Sequence, residues 1–153
     1  AGSSCDVAGE GKAYSNLGLV LFGKGAYAKA KEMHDLHLAI AQRTGDVAGE
    51  GRVYGNLGNV HISLGDTAAA REMYEKRLEI AKKTGDLQGE GKSYCNLGCV
   101  YFTLGEMDKA KEMHEQHLAI SKKTGDAAGE GKACGNLATV LYALGDVDKA
   151  REM

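Results

Sequence analysis

The chain has 153 residues and a mass of 16.1 kDa, and its 43% apolar and 26% charged residues form a globular balance that excludes disorder and collagen. Nineteen Lys and Arg stand against 21 Asp and Glu, a net charge of −2, so no global field favours a polyanion and nucleic acid is not an expected partner. No apolar run approaches the ~20 residues of a bilayer span, and Ala1-Gly2-Ser3-Ser4 lacks the basic-then-apolar order of a signal peptide, so the expectation is a soluble, cytoplasmic protein with no membrane partner.

Residues 1–5 read as a terminal tail or cloning scar. From Asp6 onward the chain repeats itself every 40 residues, giving complete repeats at 6–45, 46–85 and 86–125 and a shorter one at 126–153. Seventeen of the 40 positions are identical in all three complete repeats, among them Gly-Glu-Gly, Asn-Leu-Gly, Glu-Met and the closing Thr-Gly.

Each repeat predicts two helices. Asp6, Asp46, Asp86 and Asp126 are suited to cap the first, with Glu10, Glu50, Glu90 and Glu130 near the positive end of its dipole. At ~100° per residue, Tyr14, Leu17, Gly18 and Leu21 share a core face, and Lys12, Asn16, Leu19 and Gly23 lie opposite. Gly25, Gly65, Gly105 and Gly145 mark a tight turn, after which a second helix runs to a basic last turn and a closing glycine, as in Lys82-Lys83-Thr84-Gly85. On that second helix Ala30, Met33, His34, His37, Leu38 and Ala41 face inward. Gly18, Gly58 and Gly98 fall where two helices approach closely. Seven full helices, one short helix and no strand are therefore expected.

Three chemistries suggested by the residue types do not hold. Gly89-Glu90-Gly91-Lys92-Ser93 is not a phosphate loop, because Asp86 stands five residues before Gly91 where glycine is needed; Gly49-x-Gly51 meets Tyr54 where a dinucleotide loop needs glycine. His34/His37 and His114/His117 have metal-ligand spacing but lie on the apolar stripe, have no evident acidic third ligand, and are interrupted by Tyr74 and Arg77 in the second repeat. The four cysteines show no disulfide framework and read as reduced thiols. Cys95 and Cys99 lie one turn apart on the face opposite the core, with no histidine on that face to activate them. No metal, no cofactor and no catalytic residue is expected, and the chain is not read as an enzyme.

One constellation repeats without interruption. Lys12, Arg52, Lys92 and Lys132 are each followed four residues later by Asn16, Asn56, Asn96 and Asn136, so every first helix carries a cation and a carboxamide on one face, opposite the core. Asn59, in the run Gly55-Asn56-Leu57-Gly58-Asn59, joins this set of candidate ligand-binding residues. A carboxamide can both donate to and accept from a peptide backbone, and a row of cations favours acidic residues. The alternative is that each Asn bonds a neighbouring helix and each cation pairs with a nearby Glu.

Tyr54-x-x-Leu57-Gly58-x-x-His61 with Ala70, and Tyr94, Leu97, Gly98, Tyr101 with Ala110, resemble the tetratricopeptide (TPR) signature, and the 40-residue period resembles the long-repeat arrays of Pins/LGN-type adaptors, with kinesin light chain more distant. The resemblance spans residues 5–153. It implies an all-α fold, a right-handed α-solenoid of antiparallel helix pairs whose first helices form a concave wall. It also implies that residues placed like Asn56 and Asn96 contact a bound peptide and that those like Arg52 engage ligand carboxylates. The chaperone-type carboxylate clamp is not implied, since the Lys it requires is replaced by Ser15, Gly55, Cys95 and Gly135. Cys134 and Ala138 depart from the signature in the last repeat, and no repeat carries its proline.

The function these features predict is a non-enzymatic interaction module holding an extended, acidic peptide in a concave groove. The alternative is a structural or self-assembling solenoid, such as the sensor array of a larger receptor or ATPase. Leu137, Val140, Leu141 and Leu144 are expected to lack the cover that a full second helix would give, which predicts self-association or fraying at the C-terminal end.

Overall fold

The computed structural model describes residues 4–153. Among these there is no strand, and the chain forms two compact units, one ending at Thr84 and the other running from Gly85 to Met153. The first holds α1 (Ser4–Gly23), α2 (Tyr27–Thr44), α3 (Val47–Ser63) and α4 (Thr67–Thr84); the second holds α5 (Leu87–Thr103), α6 (Met107–Thr124), α7 (Ala127–Ala143) and α8 (Val147–Glu152). Each unit is a stretch of α-solenoid in which consecutive helices pack pairwise, α1 on α2 and α3 on α4, α5 on α6 and α7 on α8.

The helix boundaries follow from the repeated residues. Asp46, Asp86 and Asp126 cap α3, α5 and α7 by accepting the N–H of Gly49, Gly89 and Gly129 at 2.9, 3.0 and 2.9 Å, each cap contributing roughly 1 kcal/mol. Asp6 does not repeat this role, because α1 already begins at Ser4 and Asp6 lies within its first turn. At the other end of the repeat, the hydroxyls of Thr44, Thr84 and Thr124 donate back to the carbonyls of Ile40, Ile80 and Ile120 at 2.9 Å. The following glycine then turns left-handed, with φ of 70° at Gly45 and Gly125, so the Thr-Gly pair is a stop signal with two parts.

Ala30, Ala70 and Ala110 are wholly buried, which lets paired helices cross closely. Above them a ring from the second helix lies over a glycine of the first: His34 over Gly18, Tyr74 over Gly58, His114 over Gly98. A Cβ at Gly18 would sit 2.8 Å from the His34 ring, and at Gly58 and Gly98 the approach is closer still. Close approach, more than backbone freedom, therefore explains glycine in Asn-Leu-Gly.

Two expectations about the core require correction. Leu57, Leu97 and Leu137 are buried, but Leu17 is 47% exposed; α3 is flanked by both α2 and α4, whereas α1 packs mainly on α2 and leaves that side of its stripe open. The uncovered stripe expected at the C-terminal end is not present either. Leu137, Val140 and Leu141 are buried, and α7 packs more extensively on α6 than on the short α8. Leu144 is exposed, yet so are its counterparts Leu64 and Leu104, which makes its exposure a property of the repeat.

Candidate functional site

Within each unit the two first helices lie side by side, α1 beside α3 and α5 beside α7. The periodicity that turns Leu57 or Leu97 into the core turns the residues at Lys12 and Asn16, and their counterparts, away from it. Lys12, Arg52, Lys92 and Lys132 are all exposed; Asn16 is exposed, and Asn56, Asn96 and Asn136 are half-buried. In the first unit Lys12 and Asn16 thus stand on α1 with Arg52 and Asn56 on the adjacent α3, and in the second Lys92 and Asn96 stand on α5 with Lys132 and Asn136 on the adjacent α7.

The four cations are not consumed by internal ion pairs among the described residues. The pairs that form lie elsewhere and include Lys31–Asp35 at 2.7 Å, Lys109–Glu106 at 2.8 Å and Lys111–Glu115 at 3.3 Å. In the first two repeats the nearest acids in sequence are engaged otherwise, since Tyr14 and Tyr54 donate to Glu10 and Glu50 at 3.1 Å. Burial, then the Glu50 bond, pushes the Tyr54 hydroxyl up from its ordinary value, so it remains a donor there.

Two of the amides have internal roles. Asn59 accepts a 2.6 Å bond from the Tyr74 hydroxyl and so ties α3 to α4, while Asn136 donates across to Cys95 Sγ at 3.9 Å and ties α7 to α5. Lys92 also borders a hollow of about 280 Å³ shared with Gln88, His117, Ser121 and Asp126.

A second cluster sits on the same face of the second unit, and sequence reasoning missed its extent. Cys95 is buried and Cys99 exposed one turn away on α5, and from α7 both Lys132 and Asn136 reach Cys95. The hydrogen bond from Cys99 pulls the Cys95 thiol down against the effect of burial, with Lys132 assisting, and the same bond pushes Cys99 up. The available signal was the period itself: Asn136 is one repeat on from Asn96, the residue after Cys95.

The histidines are packing residues. His34, His37, His114 and His117 are buried on α2 and α6, and burial lowers all four, to about 4 for His114, so they are neutral near pH 7. Charge repulsion from a neighbour lowers all four further: His37 acts on His34, Arg52 on His37, His117 on His114 and Lys132 on His117. His37 Nδ1 bonds Ser15 Oγ at 2.6 Å, while Nδ1 of His34, His114 and His117 has no partner. No group of three His, Cys, Asp or Glu that could hold a metal ion occurs among the described residues, and no helix there is long and apolar enough to cross a membrane.

The tetratricopeptide repeat family model matches residues 10–83 and 89–153, which is most of the chain. The chain belongs to the tetratricopeptide repeat family. Solved structures similar to this TPR array include BtubC (BKLC) from P. vanneervenii, 27% identical over 93% of this chain and 59% of that one, with a TM-score of 0.86. A kinesin light chain homologue of nearly identical TPR-like repeats from Podosopora anserina is 23% identical over 92% of this chain and 70% of that one, with a TM-score of 0.79. A signal-transduction ATPase with numerous domains and a tetratricopeptide repeat sensor, from Pyrococcus horikoshii, is 23% identical over 95% of this chain and 23% of that one, with a TM-score of 0.87. The chain thus spans less than two thirds of BtubC and under a quarter of the ATPase. No curated protein matches the sequence.

Proposed function

We propose that this TPR array is a cytoplasmic, non-enzymatic interaction module of the long-repeat, Pins/LGN-like kind. Its ligand is an extended acidic peptide lying along the first-helix face of each unit. The observation that carries this reading is that Lys12, Arg52, Lys92 and Lys132 remain exposed and outside the internal ion pairs, whereas Lys31 and Lys111 on the second helices pair with Asp35 and Glu115. Asn16, Asn56 and Asn96 supply backbone hydrogen bonding beside them; Asn59 and Asn136 act mainly by holding their helices in place.

Titration of an acidic, fluorescently labelled peptide tests the reading. The expected result is binding that weakens as salt rises, since exposed charge pairs are screened beyond ~8–10 Å at physiological ionic strength. An Arg52→Glu/Lys92→Glu protein should lose roughly tenfold or more in affinity, and an Asn56→Ala/Asn96→Ala protein somewhat less, at about 1 kcal/mol per lost hydrogen bond. Equal affinity in all three proteins removes these residues from binding.

A second reading, a self-assembling solenoid, is favoured by one observation. Tyr142 is 69% exposed and borders an open hollow of about 440 Å³ between α7 and α8, with Ala138, Thr139, Ala150 and Arg151. If this surface pairs with another copy or a further repeat, sedimentation across a concentration series will show association that Tyr142→Lys abolishes; a monomer at all concentrations disposes of it.

A further inference from the structure

In an array with so many identical positions, the departures of a single repeat stand out. The positions held by Cys95 and Cys99 are Ser15 and Leu19 in the first repeat, Gly55 and Asn59 in the second, and Gly135 and Thr139 in the last, so only the third repeat carries a thiol at either position. Both are one turn apart on α5, on the face that adjoins α7. Cys99 is open to solvent and Cys95 lies below it in contact, with Asn136 Nδ2 donating to Cys95 Sγ at 3.9 Å and the Lys132 ammonium within hydrogen-bonding reach. A cation and an amide donor from α7 thus converge on a buried sulfur of α5 whose neighbouring sulfur, one turn away, is exposed.

We propose that Cys95 and Cys99 form a two-coordinate site for a soft, monovalent d10 cation, Cu(I), with Lys132 balancing its charge and Asn136 orienting Cys95. The low coordination number follows from the surroundings, because no third His, Cys, Asp or Glu joins the pair in a metal-binding group among the described residues. Zn(II) sites take three or four protein ligands and hard cations take oxygen ligands, whereas Cu(I) is a soft cation that thiolates bind, so a pair of thiolates with no further ligand suits Cu(I) best. On binding, each thiol gives its proton to solvent and each sulfur forms one bond to copper, with no change of oxidation state. Two thiolates and one Cu(I) leave a net charge of −1, which the Lys132 ammonium offsets. The site shares Lys132 with the peptide reading but does not rest on it.

The test is titration of the reduced, oxygen-free protein with Cu(I) held by a chromogenic chelator, following both chelator competition and the thiolate-to-copper absorption in the near ultraviolet. One equivalent is expected for the natural chain and for a Cys5→Ser/Cys134→Ser protein, with Cys95→Ser and Cys99→Ser each weakening binding at least a hundredfold. Lys132→Met should weaken it roughly tenfold without changing the stoichiometry, as circular dichroism confirms an unchanged fold. Competition indistinguishable from that of the Cys95→Ser or Cys99→Ser protein, or Zn(II) bound at one equivalent as tightly as Cu(I), overturns the proposal.

Discussion

Gly58→Ala should destabilise the first unit while Gly131→Ala stabilises the second, although both replace a glycine inside a first helix by the best helix former. Alanine gains about 1 kcal/mol of helix propensity at either position. At Gly131 nothing lies within 4 Å of the new Cβ, so that gain stands. At Gly58 the Cβ would enter the ring of Tyr74, which is itself fixed by its bond to Asn59 and cannot swing aside without losing it. Overpacking of this kind costs about 1–3 kcal/mol, and a further loss of about 1 kcal/mol follows if the Tyr74 hydroxyl is left unpaired. The expected net effect is a loss of roughly 1–3 kcal/mol at Gly58 against a gain of about 1 kcal/mol at Gly131. Urea midpoints of the two proteins check this directly. A gain at both positions would mean that the ring is not held over the glycine.

Acid should weaken the array before its carboxylates are protonated. His114 is buried and lowered to about 4, and His34, His37 and His117 are lowered in the same direction by burial. Near pH 7.5 folded and unfolded chains both carry these histidines neutral, and the full stability is present. As pH falls through the unfolded value of about 6.5, the unfolded chain takes up protons that the folded chain refuses. Stability therefore declines from about pH 6.5 toward pH 4, and His114 alone should account for a loss on the order of 2 kcal/mol. The second repeat contains its own control, for Tyr74 occupies the position of His34 and His114 without titrating in this range. A His34→Tyr/His114→Tyr protein should show a much shallower fall in urea midpoint between pH 7.5 and 5. If the natural protein keeps one midpoint across that interval, the imidazoles are not held neutral by burial.

The period of 40, the helix pairs, the Asp caps and the Thr-Gly stops were all legible in the sequence, because each is a local signal that three repeats state independently. Capping and left-handed closure involve residues within four positions of one another, so no knowledge of the tertiary packing is needed to place them. The alternation that separates Leu57 from Arg52 and Asn56 is equally local, and it located the candidate face. It also placed glycine where helices approach, though not the ring that makes alanine unwelcome there.

What only the tertiary structure decided depends on which neighbour each helix has. Leu17 and Leu57 occupy the same position of the repeat, yet one is exposed and the other buried, because α3 is flanked on both sides and α1 is not. Leu137, Val140 and Leu141 are buried although α8 is short, because α7 also packs on α6, which a helical wheel drawn for α7 alone cannot reveal. Asn59 and Asn16 are both amides on a first helix, but only Asn59 meets a tyrosine hydroxyl across the pair. Cys95 could be read as a packing thiol until Lys132 and Asn136 were seen to reach it from the next repeat. Periodicity along one helix fixes which way a side chain points, whereas what it meets there is set by helices up to 40 residues away in the chain.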